Sequence, residues 1–166
     1  WRDMSRRWPA SALASLARMY SLLGTHLVRA GRPKDGADAV MAGYATYPRD
    51  AVVLNNYALA AQARGSDAEA LEVYEAVVNL RPDYTLGWYN LGVTAFRLGR
   101  GDKAAQSFAS AARLGLKAPR LGRAAYYSGI MRARNGDLAR AAALIDAALP
   151  ALPAKQRVEA ERLLRQ

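Results

Sequence analysis

The apolar residues of this chain recur at helical spacing in short blocks, and glycine and proline break the blocks at regular intervals. Trp88, Leu91, Gly92 and Ala95 fall within one arc of about 100° when successive residues are set a helical step apart. Ala104, Phe108 and Ala111 make a similar stripe on the block that follows. Neither helix buries its face alone, so the pattern predicts helices that pair and pairs that stack. The breaks keep register along the chain. Gly31, Gly65 and Gly99 are 34 residues apart, as are Pro48 and Pro82, Asn56 and Asn90, and Ala70 and Ala104. A fourth copy follows after three extra residues, 119–121, with Gly136 answering Gly99 and Pro153 answering Pro82.

The predicted units are 17–50, 51–84, 85–118 and 122–155. Each reads as a helical hairpin, with glycine where the chain turns and a proline or loop where the second helix stops. A fixed period of this length across four copies is the signature of a repeat array. Residues 155–166 look helical but leave the register, since Glu159 and Arg162 would occupy core positions. They are expected to form a capping helix, with Val158, Leu163 and Leu164 covering the last hairpin.

The third copy carries Trp88-Tyr89-Asn90-Leu91-Gly92, then Ala95, Gly99, Ala104, Phe108 and Ala111. The second supplies Tyr57-Ala58, Ala61, Gly65, Ala70, Tyr74 and Pro82; the first Tyr20, Leu23-Gly24, Gly31 and Pro48; the fourth Gly129, Gly136, Ala141, Ile145, Ala148 and Pro153. In this pattern the chain resembles the tetratricopeptide repeat family over about four-fifths of its length. The resemblance implies an all-α fold, a right-handed superhelical solenoid of antiparallel helix pairs, with residues 1–166 as a single domain. Two departures stand out. Gly36 and Gly43 occupy positions where the family usually has alanine, each costing about 1 kcal/mol in a helix interior, so the second helix of copy one is expected to be the loosest. Leu116 stands at the usual proline position, ahead of the insertion at 119–121.

Composition narrows the chemistry. The chain has no cysteine, which excludes disulfides, thiol catalysis and cysteine-ligated metals. His26 is the only histidine and no serine lies in a nucleophile-elbow pattern. No catalytic residue, metal or cofactor is expected. Gly99, Gly101 and Ala104 mimic a dinucleotide pattern, but no strand precedes them. Arg100-Gly101-Asp102 reads as turn and helix start, not as an adhesion tripeptide. The net charge is +10, and twenty of the twenty-four basic residues are arginine. They are scattered, with no run longer than Arg6-Arg7, which disfavours nucleic acid as partner. No apolar run reaches the length of a membrane span. Trp1 is not a start methionine, and Arg6, Arg7 and Trp8 fit either a ragged start or the sequel of a removed signal or anchor. The compartment stays open between cytoplasm and periplasm, including a soluble part of a longer or membrane-anchored protein.

With one face of each first helix in the core, the opposite face is expected to line a concave groove. On the third copy that face holds Tyr89, Asn90, Val93, Phe96 and Arg97; on the second, Asn55, Asn56, Leu59 and Gln62; on the fourth, Arg123, Tyr126, Tyr127 and Arg134. These thirteen residues are the expected peptide-binding groove, aromatic and arginine-flanked. Asn56 and Asn90 hold equivalent positions, where related arrays use asparagines to pair with the backbone of an extended peptide. The family's clamp for a chain-terminal carboxylate is absent: of Ser21, Thr25, Asn56, Leu86 and Asn90 only Asn56 fits, and one copy later only Asn90 and Arg123 do. The resemblance thus implies a non-catalytic module that binds a partner protein or peptide segment, as an adaptor in a bacterial assembly, envelope or secretion system. The alternative is a self-assembling scaffold, a homo-oligomer that uses its convex or end surfaces.

Overall fold

The computed structural model describes residues 8–165; Arg6 and Arg7 lie outside them. Among the described residues all regular structure is helical, and no helix is long and apolar enough to cross a membrane. The chain divides into two compact units, Trp1–Pro82 and Asp83–Gln166. The first contains α1 (Ala10–Arg29), α2 (Pro33–Thr46), α3 (Ala51–Ala63) and α4 (Asp67–Leu80). The second contains α5 (Thr85–Arg97), α6 (Gly101–Arg113), α7 (Arg120–Arg134), α8 (Leu138–Ala148), a 3-10 turn (Leu149–Ala151) and α9 (Ala154–Leu164). Within the first unit α1 pairs with α2 and α3 with α4, and α3 packs on the first pair. Within the second, α5 pairs with α6 and α7 with α8; α7 packs on the α5–α6 pair and α9 on α8.

The periodic glycines close the first helix of each pair. At Gly65 the backbone turns left-handed, with φ +83°, a conformation that glycine adopts without steric penalty. The Gly65 amide then donates to the Gln62 carbonyl (2.9 Å) and the Ser66 amide to the Ala61 carbonyl (3.0 Å). This is the Schellman arrangement, which satisfies carbonyls the helix end would otherwise leave bare. The same pair of bonds recurs at Gly31, Gly99 and Gly136. It also recurs at Gly115, at the end of α6, where the sequence lacks the usual proline. Leu116, the next residue, is buried there, as the apolar side chain following such a cap commonly is.

The core follows the stripes. Leu91, Gly92 and Ala95 of α5 and Ala104, Phe108 and Ala111 of α6 are buried, and Trp88 is half-buried. A Cβ at Gly92 would lie 2.6 Å from the Phe108 ring, so the glycine is what admits the ring. In the first unit Val53, Tyr74 and Val77 are fully enclosed, and the Tyr74 hydroxyl donates to Gln62 Oε1 (3.1 Å).

Gly36 and Gly43 let α2 lie directly on the backbone of α1. A Cβ at Gly36 would come 2.7 Å from the Gly24 carbonyl oxygen, and one at Gly24 would come 2.6 Å from that of Gly36. A Cβ at Gly43 would meet the Ala17 carbonyl oxygen at 2.7 Å. The propensity cost of the glycines is offset by a helix contact that no other residue permits.

Asp50 fixes the next junction. Its Oδ1 accepts from the Val52 and Val53 amides (2.9 and 3.1 Å) and so caps α3. Its Oδ2 accepts from Arg18 Nε (2.8 Å), tying α3 to α1. At the other end of the chain, Arg157 donates to the Leu149 and Leu152 carbonyls (3.1 and 3.2 Å) and pins α9 to the 3-10 turn. Of the three residues expected to cover the last hairpin, Leu164 does so and Val158 and Leu163 do not. Ala160 and Leu164 pack on the cluster of Tyr126, Ile145, Ala148 and Leu152. Val158 and Leu163 are exposed, because α9 leans on its neighbours by its smallest side chain.

Candidate functional site

In the first unit the expected groove residues separate. Asn55 is buried, and its Nδ2 donates to Asn56 Oδ1 (3.4 Å). Gln62 is held by the Tyr74 hydroxyl. Asn56 and Leu59 line a depression of about 250 Å³ between α1, α2 and α3, whose walls include Gly24, Val28, Gly36 and Val40. The close glycine contact sinks α2 against α1 and leaves this apolar hollow beside Leu59. Tyr57, one residue on from Asn56, stacks on Tyr44 with ring centroids 4.5 Å apart, and its hydroxyl donates to Glu69. That hydrogen bond, reinforced by burial, pushes the Tyr57 hydroxyl above its usual range.

In the second unit several expected residues come together. Phe96 of α5 lies 4.7 Å, centroid to centroid, from Tyr127 of α7. Tyr127 also stacks on Phe108, 6.1 Å away, and the Arg134 guanidinium sits 5.6 Å over the Phe96 ring. The Tyr127 hydroxyl accepts from Gln156 Nε2 of α9 (3.4 Å). Around this aromatic centre Asn90 and Val93 are half-buried and Arg97 and Arg134 exposed. Tyr89 is buried against Phe108, 6.2 Å between centroids. Burial raises its hydroxyl above the usual range, and the nearby Arg123 and Arg120 charges pull it back down. Arg123 is half-buried, and its Nε is enclosed with no hydrogen-bond partner among the described residues.

Tyr126 is the clearest departure from the expected groove. Its side chain is 2% exposed and belongs to the core under α9. The α7 face that carries Arg123 and Tyr127 turns Tyr126 inward, roughly 100° around the helix. Burial first, and then the neighbouring Glu159 carboxylate, push its hydroxyl up to about 12. Among the described residues the Glu159 carboxylate stands beside that hydroxyl without reaching full hydrogen-bond geometry. Tyr126→Phe therefore removes an unpaired buried group and keeps the ring, and thermal denaturation is expected to show stability equal to wild type or about 1 kcal/mol higher. A loss larger than 1 kcal/mol would mean the hydroxyl is bonded after all.

Sequence reasoning missed Arg120, Gln156 and Glu159. Arg120 fell in the apparent insertion, yet it lies one helical turn before Arg123, a spacing that puts both on one face. Gln156 and Glu159 were assigned to a cap, so no signal placed them beside α7.

A TPR repeat model matches residues 60–99, and a Tetratricopeptide repeat model matches residues 89–155. No curated protein matches the sequence. Among solved structures, MamA 41-end from Desulfovibrio magneticus RS-1 superposes with a TM-score of 0.73 at 17% identity, over 89% of this chain and 81% of that one. MamA of AMB-1 gives 0.68 at 23% identity, over 87% and 82%. Pseudomonas aeruginosa pilF gives 0.75 at 16% identity, over 92% and 68%. At such identities the likeness is one of fold.

Proposed function

The chain belongs to the tetratricopeptide repeat family, and from that premise we propose that it is a non-catalytic module binding a partner protein through the face shared by α5 and α7. The reading takes residues 1–166 as one interaction domain of four repeats closed by the C-terminal helix, acting as an adaptor in a bacterial assembly, envelope or secretion system. The observation that carries it is the Phe96–Tyr127–Arg134 cluster, where large rings and an arginine lie at a partly open surface on two helices. Aromatic and arginine side chains supply most of the energy at protein interfaces, since each joins large contact area to directed polar contacts. Asn90, Val93 and Arg97 border the cluster, and Asn56 and Leu59 offer the first unit's apolar hollow as a second contact.

Photo-crosslinking from Val93 tests this reading in cells of the source organism. A crosslinker at Val93 is expected to capture a discrete partner, and one at Ala109, exposed on α6, is not. Asn90→Ala with Arg134→Ala should lower the affinity for that partner at least tenfold, with the melting temperature kept. Equal capture from both positions, or undiminished affinity, would remove the face from the proposal.

A second reading has its own support. Met19, Leu22 and Leu23 of α1 are exposed, at 67, 59 and 49%. Such a patch fits the scaffold alternative, association through the end of the array. Light scattering across a hundredfold range of concentration separates the two, because a strict monomer leaves only the partner-binding reading.

A further inference from the structure

Charge is divided unevenly between the two units. The second unit holds fourteen arginines and lysines against six aspartates and glutamates, +8 of the chain's +10, while the first holds ten against eight. Within the second unit, Arg120, Arg123, Tyr127, Ile130 and Arg134 fall within an arc of about 80° on α7, one continuous helix face. Among the described residues the three arginines on that face have no carboxylate partner: Arg134 sits on Phe96, and Arg123 has its Nε buried and unbonded. The first turn of α7 holds no acidic residue, and cations there are disfavoured by the positive end of the helix dipole. The acidic residues that do pair nearby are used elsewhere, as Asp137 is by Arg132 and Arg140.

Resting on the partner-binding reading above, we infer that the α7 face receives an internal acidic segment of a partner protein, with carboxylates at both ends of the contact and an apolar residue between them. From Arg120 to Arg134 the helix advances about 21 Å. An extended segment of six or seven residues covers that length. Its first carboxylates meet Arg120 and Arg123, its apolar residue packs on the open edges of the half-buried Phe96 and Tyr127 rings, whose faces are already covered, and its last carboxylate meets Arg134. Arg123 breaks no hydrogen bond of its Nε when it turns toward an incoming carboxylate, and a guanidinium grips a carboxylate through two parallel bonds. A nucleic acid fits less well. Single strands are held by bases stacked on free aromatic faces, and here the faces of Phe96 and Tyr127 are taken by each other, by Phe108 and by Arg134. The terminal-carboxylate clamp of the family is not invoked, since its residues are absent and the carboxylates proposed are side chains.

The test is fluorescence anisotropy with the full chain and three probes: a ten-residue peptide blocked at both ends, with Asp-Glu pairs flanking a central leucine; the same peptide with Asn-Gln pairs; and an oligothymidine of ten nucleotides. The acidic peptide is expected to bind at least tenfold more tightly than the amide version. Arg120→Gln and Arg123→Gln should each weaken it at least fivefold, and Arg113→Gln, an equal charge loss on α6, by less than twofold. Equal losses in all three variants would reduce the effect to net charge and overturn the inference. So would tighter binding of oligothymidine lost by the same arginine variants, or failure of the acidic peptide to bind at millimolar concentration. If the two peptides bind alike, insensitive to arginine but lost in Val93→Asp, the acidic assignment fails while the binding face stands. If the crosslinked partner is unaffected by every substitution on α5 and α7, the face itself fails.

Discussion

Gly36→Ala is expected to destabilise the first unit by about 2 kcal/mol, the reverse of what helix propensity alone requires. Replacing an interior helical glycine by alanine normally gains about 1 kcal/mol. Here the new Cβ would stand 2.7 Å from the Gly24 carbonyl oxygen, a backbone atom with no rotamer to change. The helices must separate, and overpacking of this kind costs about 1–3 kcal/mol, with contacts along the α1–α2 seam lost as well. Gly24→Ala meets the same obstacle from the other side, at 2.6 Å from the Gly36 carbonyl oxygen. The double variant should cost less than the sum, because one separation relieves both clashes. Gly101→Ala is the control: its Cβ would touch only the Met131 side chain at 3.7 Å, so stability should be unchanged or slightly raised. Urea denaturation gives the ordering, and hydrogen exchange should show faster opening of α1 and α2 in the two seam variants. Stabilisation by Gly36→Ala would mean that the helices separate at no cost.

That seam also shows where the sequence was legible and where it was not. The 34-residue spacing of Gly31, Gly65 and Gly99 reports a local requirement, a left-handed residue at a helix end, and each glycine is found doing that work. Leu91, Ala95, Phe108 and Ala111 were readable for a similar reason, since a helix repeats every 3.6 residues and its buried face shows in the pattern. The close approach at Gly36 and Gly43 was not legible, because propensity is a property of an isolated helix while this contact lies across the pair. The candidate face divides along the same line. Phe96, Tyr127 and Arg134 were placed by helical spacing on their own elements, and the structure brings them together. Tyr126, Asn55 and Tyr89 were expected to be open and are buried. Tyr126 is buried under α9 and Tyr89 against the Phe108 ring, both contributed by other helices, while the Asn55 amide is taken up by Asn56 beside it. Arg120 was hidden by the insertion, which shifts the register just where α7 begins.

Asp50→Ala is expected to cost about 2 kcal/mol, and the loss should depend on pH in a defined direction. The carboxylate has two roles at one place. As the cap of α3 it satisfies two backbone amides, and loss of such a cap costs about 1 kcal/mol. The ion pair to Arg18 adds less than about 1 kcal/mol, because the arginine is more than half exposed and solvent screens the attraction. Burial on its own raises the Asp50 carboxyl, but the bond from Arg18 and those from the Val53 and Val52 amides outweigh it, and the group lies below its usual range. A depressed carboxyl stabilises the fold fully above the unfolded value, about 4, and the contribution fades as pH falls through the folded value. In that window the unfolded chain binds the proton that the folded chain refuses, so stability must rise with pH. Wild type should therefore lose more stability than Asp50→Asn on acidification from pH 5 to pH 3, and the gap between them should close. Asp50→Asn retains a cap acceptor and should cost under about 1 kcal/mol at neutral pH. Denaturant melts of the three proteins at each pH decide it. A gap that stays constant with pH would assign the whole effect to capping and none to the charge.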